Sequence, residues 1–315
     1  MIFGAFSQYL NLKFNDKAQG VVVYIYERPG RWMNDVQLTE LVDKMRSLVK
    51  VSIKDESLDY GALTGERSIL ENVLVTLIVD RKTQRTLAFN CLTFMPCELA
   101  GVKEDVLHLG LIIVHPDIRH SGFSWILYGL TTSLIFIRHR LRPIWISNVT
   151  QVPSIIGKVS ETFSSVYPDP VTNRRKSFKQ LVLVRQIMLK YRHVFGVGPE
   201  AQFNEDKFVI ENSYTGGSDH LKKTVDEAPK HRNPVFNDYC AQYLDYERGD
   251  DFLQIGQIDL DAIHRFLTRD IPARSLLGVI SIYVLMALQS IALPILSWFD
   301  DSKHQGMIRP WRTQK

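Results

Sequence analysis

In "VHPDIRHSGFSWIL", Val114 to Leu127, one apolar run ends at His-Pro-Asp and a second opens after Arg119, Ser121, Gly122 and Ser124. That order reads as strand, short polar loop and helix, and the groups in the loop are those that hold an anion. Backbone N–H groups in the first turn of a helix have no intrahelical partner and lie at the positive end of the helix dipole. Arg119 adds a full charge beside them. Gly122 lets a phosphate approach the backbone, and Ser121 and Ser124 offer hydroxyl donors. The plain alternative is an ordinary capped helix after a buried strand.

The neighbouring elements must position this loop. "LHLGLIIV", Leu107 to Val114, is the strand that feeds it, and an apolar helix from Gly122 to about Arg140 leaves it. Upstream, "VVVYIY" (Val21 to Tyr26) is β-branched and aromatic throughout, as a buried strand is. A helix begins at Asn34, with apolar residues from Val36 to Val49 near 3.6 spacing. A short helix is expected around Glu66 to Glu71. "VLVTLIVD" and "TLAFNCLTF" flank a polar turn at 81–85 and predict a hairpin. Downstream come the strand "PIWISN" (Pro143 to Asn148), a helix from Pro153 to about Thr162 with proline in its first turn, and extended "FSSVYPDP". A hairpin among alternating strands and helices predicts a mixed α/β sheet, not a simple doubly wound one. Further on, the sequence predicts a helix over 180–191, a strand over 207–212, loop-rich surface over 213–256 and a short amphipathic helix over 260–267.

Placed among these elements, Arg119, His120, Ser121, Gly122, Phe123 and Ser124 resemble the pyrophosphate loop of the GNAT acyltransferase superfamily. That family's pattern is Gln or Arg, two residues, Gly, one residue, then Gly or Ala; Ser124 departs from it by one hydroxyl. The resemblance covers roughly Val21 to Asn212. It implies a splayed central sheet flanked by helices, with acetyl-CoA or a longer acyl-CoA as co-substrate. The cofactor's arm would pair with backbone near Ile112 and Val114, and its pyrophosphate would lie on the N–H groups of His120 to Ser124. Asn148 would contact the arm, although capping the next helix is an equally plain role. The family's usual Glu base falls on Gly110, so His108, two residues earlier on the same strand face, is the candidate base. A satisfied, partly buried histidine is the alternative. The family's usual acid is a Tyr on the following helix, and none stands between Pro153 and Thr162. Tyr167 is the nearest candidate, with an anchoring aromatic as its alternative. Over 213–256, Asp219, His220, Asp226, Glu227, His231, Asp245 and Glu247 are either dispersed surface charge or an acceptor site.

Composition bounds the rest. The 315 residues carry a net charge of +4, which gives no support to a general nucleic-acid role. The three cysteines, Cys91, Cys97 and Cys240, have no metal-ligand spacing, so reduced structural thiols and no metal are expected. "MIFGAFSQYLNLKF" lacks a basic stretch followed by an apolar core, and no signal peptide is expected. Leu276 to Leu296 has no charge, and its length matches the ~20 residues that cross a bilayer core of about 30 Å. A buried core helix is the alternative there. The expected organisation is an acyl-CoA-binding domain over 1–212, a loop-rich extension over 213–271 and a membrane-anchor segment over 272–315. The expected function is a membrane-attached N-acyltransferase, single-pass near the C-terminus with its catalytic domain facing the cytoplasm, acting on an amine acceptor, a small molecule or lipid. A catalytically silent acyl-CoA-binding or interaction module at a membrane is the alternative.

Overall fold

In this computed structural model the described residues are 9–17, 19–53, 61–118, 122–123, 125–172 and 174–298, without the side chains of 220, 274, 285 and 289–298. β1 (Asn11–Asp16) and β2 (Val21–Glu27) form an antiparallel pair. α1 (Asp35–Ser52) starts at a capping box, in which Asn34 accepts from the Gln37 N–H and Gln37 accepts from the Asn34 N–H. α2 (Arg67–Leu70) leads into the expected hairpin of β3 (Val73–Asp80) and β4 (Thr86–Leu99). β4 runs on into a second hairpin with β5 (Val102–His108). The strand expected over 107–114 is therefore two pieces, β5 and β6 (Ile112–Val114). A π-helical turn, Trp125–Leu130, precedes α3 (Thr131–Arg138), where one long helix was expected.

β7 (Ile144–Thr150), α4 (Pro153–Thr162) and β8 (Ser164–Tyr167) follow. α5 (Phe178–Lys190) is capped by Ser177, and the short strands β9 (Gln202–Asn204) and β10 (Val209–Glu211) come next. The loop-rich reading of 213–256 is corrected in two places. α6 (Pro234–Tyr243) lies within it, and β11 (Asp251–Ile258) is an interior strand between β7 and β10. Phe252, Leu253, Ile255 and Ile258 bury both faces of β11, while the acidic residues just before it obscure its start in the sequence. α7 (Leu260–Arg265) and α8 (Ala273–Trp298) complete the order.

The sheet runs β1-β2-β3-β4-β5-β7-β11-β10-β9, with β6 also on β4 and β8 also on β11. Only β5 and β7 pair in parallel among the described strands. This is a mixed α/β sheet, as the hairpin among helices predicts. α1 packs Leu41 and Met45 against Val75 and Phe89 on one face, and α5 packs Leu183 and Ile187 against Val106 and Trp145 beside it. α3, Phe266 and part of α8 cover the opposite face.

The uncharged run expected to span a membrane lies in α8. Among the described residues no helix is long and apolar enough to cross a membrane. The described part of α8 instead lies along α3: Val279 and Met286 are buried, Ile282 and Tyr283 pack on the same core, and the Tyr283 hydroxyl meets Ser133 Oγ. These positions recur at helical spacing and form one stripe. A helix that buries one stripe on its own domain is not a free-standing span over that length.

Candidate functional site

β5 and β7 run side by side through Val106↔Trp145, Leu107↔Ile146 and His108↔Ser147, and the Leu109 N–H bonds the Ser147 carbonyl at 2.7 Å. Past that point each strand follows a different neighbour. β6 stays with β4, where the Cys91 N–H bonds the Leu111 carbonyl at 3.0 Å and the His115 N–H bonds the Leu87 carbonyl at 2.8 Å. β7 continues along β11 through Asn148, Val149 and Thr150. The two parallel strands therefore form a fork whose vertex is His108 and Ser147.

A bulge sets the fork. Thr93 pairs with His108 but Asn90 pairs with Ile112, so the β5–β6 side carries one extra residue. Gly110 sits in that break because a Cβ there would lie 2.4 Å from the Cys91 carbonyl oxygen. Backbone bonds alternate along an antiparallel pair. With Leu111 and His115 bonded to β4, Ile112 and Val114 turn their N–H and C=O groups to the other edge, toward the fork. On that edge β6 has no strand partner among the described residues.

At the open end, Arg119, His120, Ser121 and Ser124 lie outside the described residues. Gly122 has φ +74, with open space where a Cβ would stand, and the Phe123 carbonyl accepts from the Ile126 and Leu127 N–H groups. The indole N–H of Trp125, in the first turn, is buried with no hydrogen-bond partner among the described residues. A buried donor of this kind fits a ligand or water acceptor. Among the described residues no three His, Cys, Asp or Glu side chains cluster to hold a metal ion.

His108 is 2% exposed, with Nδ1 3.0 Å from Ser147 Oγ and its ring 5.1 Å from that of Phe195. Burial lowers its pKa to about 4, so the imidazole is neutral at pH 7 and its conjugate acid is strong. Tyr167 does not join it. The row His108, Ser147, Ile255, Tyr167 crosses four strands, which sets Tyr167 about 14 Å from His108 at ~4.8 Å per strand. Its hydroxyl donates to the Asp206 carbonyl at 3.0 Å, and its ring stands edge-on to Phe208. The anchoring alternative describes it. Asn148 is buried on the opposite sheet face from Ser147 and donates to Gln254 Oε1 at 3.1 Å. Gln254 in turn donates to the Ile156 and Pro168 carbonyls, so Asn148 belongs to a brace between β7, β11 and α4.

In the 213–256 segment, Glu227 accepts from the backbone and hydroxyl of Thr224, Asp245 from the Arg248 N–H, and His231 Nδ1 from the Asn233 N–H. These groups shape local turns. The side chain of His220 lies outside the described residues. Sequence reasoning missed Ser147, although the alternation of Trp145, Ser147 and Val149 placed it on the His108 face.

No family model matches the chain, and no curated protein matches it. Among solved structures it is similar to an acetyltransferase of Trypanosoma brucei, at 14% identity over 38% of this chain and 75% of that one, with a TM-score of 0.27. It is similar to the ribosomal-protein-S5-alanine acetyltransferase of Vibrio fischeri at 10% identity, over 43% and 73% of the two chains, with a TM-score of 0.30. It is also similar to malonyl-CoA decarboxylase of Agrobacterium vitis at 11% identity, over 83% and 68%, with a TM-score of 0.31. Likeness at this level assigns neither a family nor an activity, and the functional reading rests on the chain's own geometry.

Proposed function

We propose that the protein is an acyl-CoA-dependent N-acyltransferase, and the observation that carries this is the fork. A slot between two parallel strands, edged by the backbone groups of Ile112 and Val114 that no described strand pairs and ending at a loop before a helix, suits an extended amide-bearing arm with a phosphate at one end. The arm of an acyl-CoA has that chemistry. Arg119, His120, Ser121, Gly122, Phe123 and Ser124 would receive the pyrophosphate, and the thioester would reach toward His108 and Ser147. Acyl transfer to an amine then needs a proton acceptor, donors for the tetrahedral oxyanion and a proton for the leaving thiolate. Neutral His108 can hold a hydrogen bond at the vertex, but it is a poor store for a proton.

Membrane attachment belongs to the same proposal. Leu277, Ile280, Val284 and Leu288 form an exposed apolar stripe on α8, and the uncharged run continues from there to Leu296. A lipid surface would cover that stripe, with the acyl-CoA site on the cytoplasmic side and an amphiphilic amine as acceptor.

A second reading, a silent acyl-CoA-binding module, is favoured by Gly110 at the usual base position and by the low pKa of His108. Thiol release from acetyl-CoA and longer acyl-CoAs with a panel of amines separates the two. Amine-dependent release supports the enzyme, and CoA binding without release supports the module.

A further inference from the structure

The turn that ends α3 is built at odds with its own domain. Arg140 and Leu141 both have left-handed backbone, at φ +59 and +58, a region that residues other than glycine and asparagine seldom adopt. The conformation is held in place: the His139 N–H donates to the Ile135 carbonyl at 2.8 Å, and the Leu141 N–H to the Phe136 carbonyl at 3.1 Å. His139, Arg140, Leu141, Arg142 and Pro143 are all exposed, Leu141 to 55%. Arg138 is engaged by Glu27, with Nε 2.9 Å from Oε2. Arg140 and Arg142 make no ion pair or side-chain hydrogen bond with a described residue. An exposed leucine between two such arginines, on strained backbone, adds nothing to the packing of the domain. An outlier of that kind points to a partner outside it.

Strand register sets this turn beside α8. The β1–β2 pair runs from Asp16↔Val21 at one end to Asn11↔Tyr26 at the other. Ser275 Oγ, in the first turn of α8, donates to Asp16 Oδ2 at 3.2 Å and ties the start of that helix to the first end. α3 begins level with Ile25, where Thr131 Oγ1 lies 2.8 Å from the Oγ1 of Thr76, the partner of Ile25. It ends level with Glu27, at the Arg138 ion pair. The two helices therefore advance in the same direction, and they touch at Tyr283 and Ser133. Arg138 follows Ser133 by as many residues as Leu288 follows Tyr283, so the basic turn lies alongside α8 from about Leu288 onward. Leu288 is the last of the outward residues Leu277, Ile280, Val284 and Leu288. Arg269, exposed in the turn before α8, stands at the other end of that stripe.

We propose that the turn over 139–142 and the outward stripe of α8 form one surface that docks on a membrane carrying anionic lipid. Arg140 and Arg142 hold the headgroup phosphates and carboxylates, and Leu141 enters the interface between them. This rests on the membrane attachment proposed above and adds the charge of the lipid to it. Packed helices lie about 8–10 Å apart, and the headgroup layer is about 5–8 Å deep on each side of a bilayer. With the stripe of α8 at the acyl boundary, that layer reaches down to the level of the turn, where arginine side chains extend to meet it. Apolar area is indifferent to headgroup charge. Cations at the interface are not, because each one near an anionic leaflet adds an attraction that fades within a Debye length. The acidic groups along the two helices are engaged elsewhere: Glu27 with Arg138, Asp16 with Ser275, and Asp270 with Lys158 at 3.1 Å.

The test is sedimentation of the full chain with vesicles over a range of lipid concentrations, pure phosphatidylcholine against a mixture with phosphatidylserine. At about 0.1 M salt, half-saturation should need at least tenfold less of the anionic lipid, and the gap should close at about 1 M. Arg140→Gln together with Arg142→Gln should narrow the gap severalfold, with neutral-vesicle binding and the melting temperature unchanged. Leu141→Asn suits the left-handed backbone better. It should melt no lower than the wild type and yet bind both kinds of vesicle more weakly. Cys91, Cys97 and Cys240 are buried, so Leu141→Cys offers one exposed thiol for an environment-sensitive fluorophore. Its emission should shift to the blue when anionic vesicles are added. A full chain that binds neither kind of vesicle overturns membrane attachment and this proposal with it. Equal binding to both kinds, or a gap that the paired arginine substitution leaves intact, overturns this proposal alone. So does a label at position 141 that stays in water while the chain is bound, which decides the matter if the arginine variant does not fold.

Discussion

His108 shows how far a residue's type is from its chemistry. As a histidine on a strand beside the loop it was legible in the sequence, and so was its sheet face from strand alternation, but its position at the vertex of the fork comes from the pairing with Ser147. Its proton affinity was not legible, because that depends on Ser147, on Phe195 from a distant turn, and on full burial. The shift has a stability consequence. The unfolded imidazole takes a proton near pH ~6.5, whereas the folded one waits until about pH 4. Between those values the unfolded chain binds more protons, so stability falls as pH falls from about 6.5 to about 4. His108→Gln should remove a loss on the order of 2–3 kcal/mol over that window. Urea unfolding of both proteins at pH 7 and pH 4.5 measures it. The opposite trend from Asp251, whose raised pKa favours the folded state below about 7, is common to both and cancels in the difference. Equal losses in the two proteins would place the His108 pKa near its ordinary value.

At the scale of elements, the hairpin, the α1 capping box and the helix from Pro153 to Thr162 were legible because local signals specify them: alternating strands, Asn34 with Gln37, and a first-turn proline. The break between β5 and β6 was not. "LHLGLIIV" reads as one apolar strand, and only pairing with β4 shows that an extra residue is accommodated there. Gly110 is the residue on which the bulge turns. Gly110→Ala would drive a Cβ into the Cys91 carbonyl, and the resulting shift should cost about 1–3 kcal/mol of stability by chemical denaturation. It should also weaken CoA binding, since the fork opens at that residue. An alanine variant with wild-type stability and CoA affinity would mean that the strand break does not depend on this close approach. β11 was missed for a different reason. Its apolar residues alternate poorly because both faces are buried, and the acidic turn before it looks like surface.

At the scale of the molecule, α8 joins two surfaces that the sequence could not tell apart. An uncharged run of this length is compatible with a bilayer or with a core, and in its described part the helix buries one stripe on the domain and leaves another exposed. Val279, Tyr283 and Met286 face the domain, while Leu277, Ile280, Val284 and Leu288 face outward. If the outward stripe meets lipid, the full chain should float with liposomes. Replacing Leu277, Ile280, Val284 and Leu288 with glutamine should reduce that flotation severalfold without lowering the melting temperature, because none of the four packs on the core. Equal flotation by both proteins would remove this stripe from the membrane reading.

The fork as an acyl-CoA site is tested most directly by calorimetric titration of CoA into the wild type, Gly122→Asp and Gly122→Asn. Gly122 has positive φ, and both replacements tolerate that conformation better than most residues do. They differ mainly in charge. The wild type should bind CoA, and Gly122→Asp should bind at least tenfold more weakly, about 1.4 kcal/mol, because its carboxylate opposes the pyrophosphate. Gly122→Asn should fall between the two, and all three should melt alike. No CoA binding by the wild type, or equal affinity in a folded Gly122→Asp, would contradict the assignment of the fork.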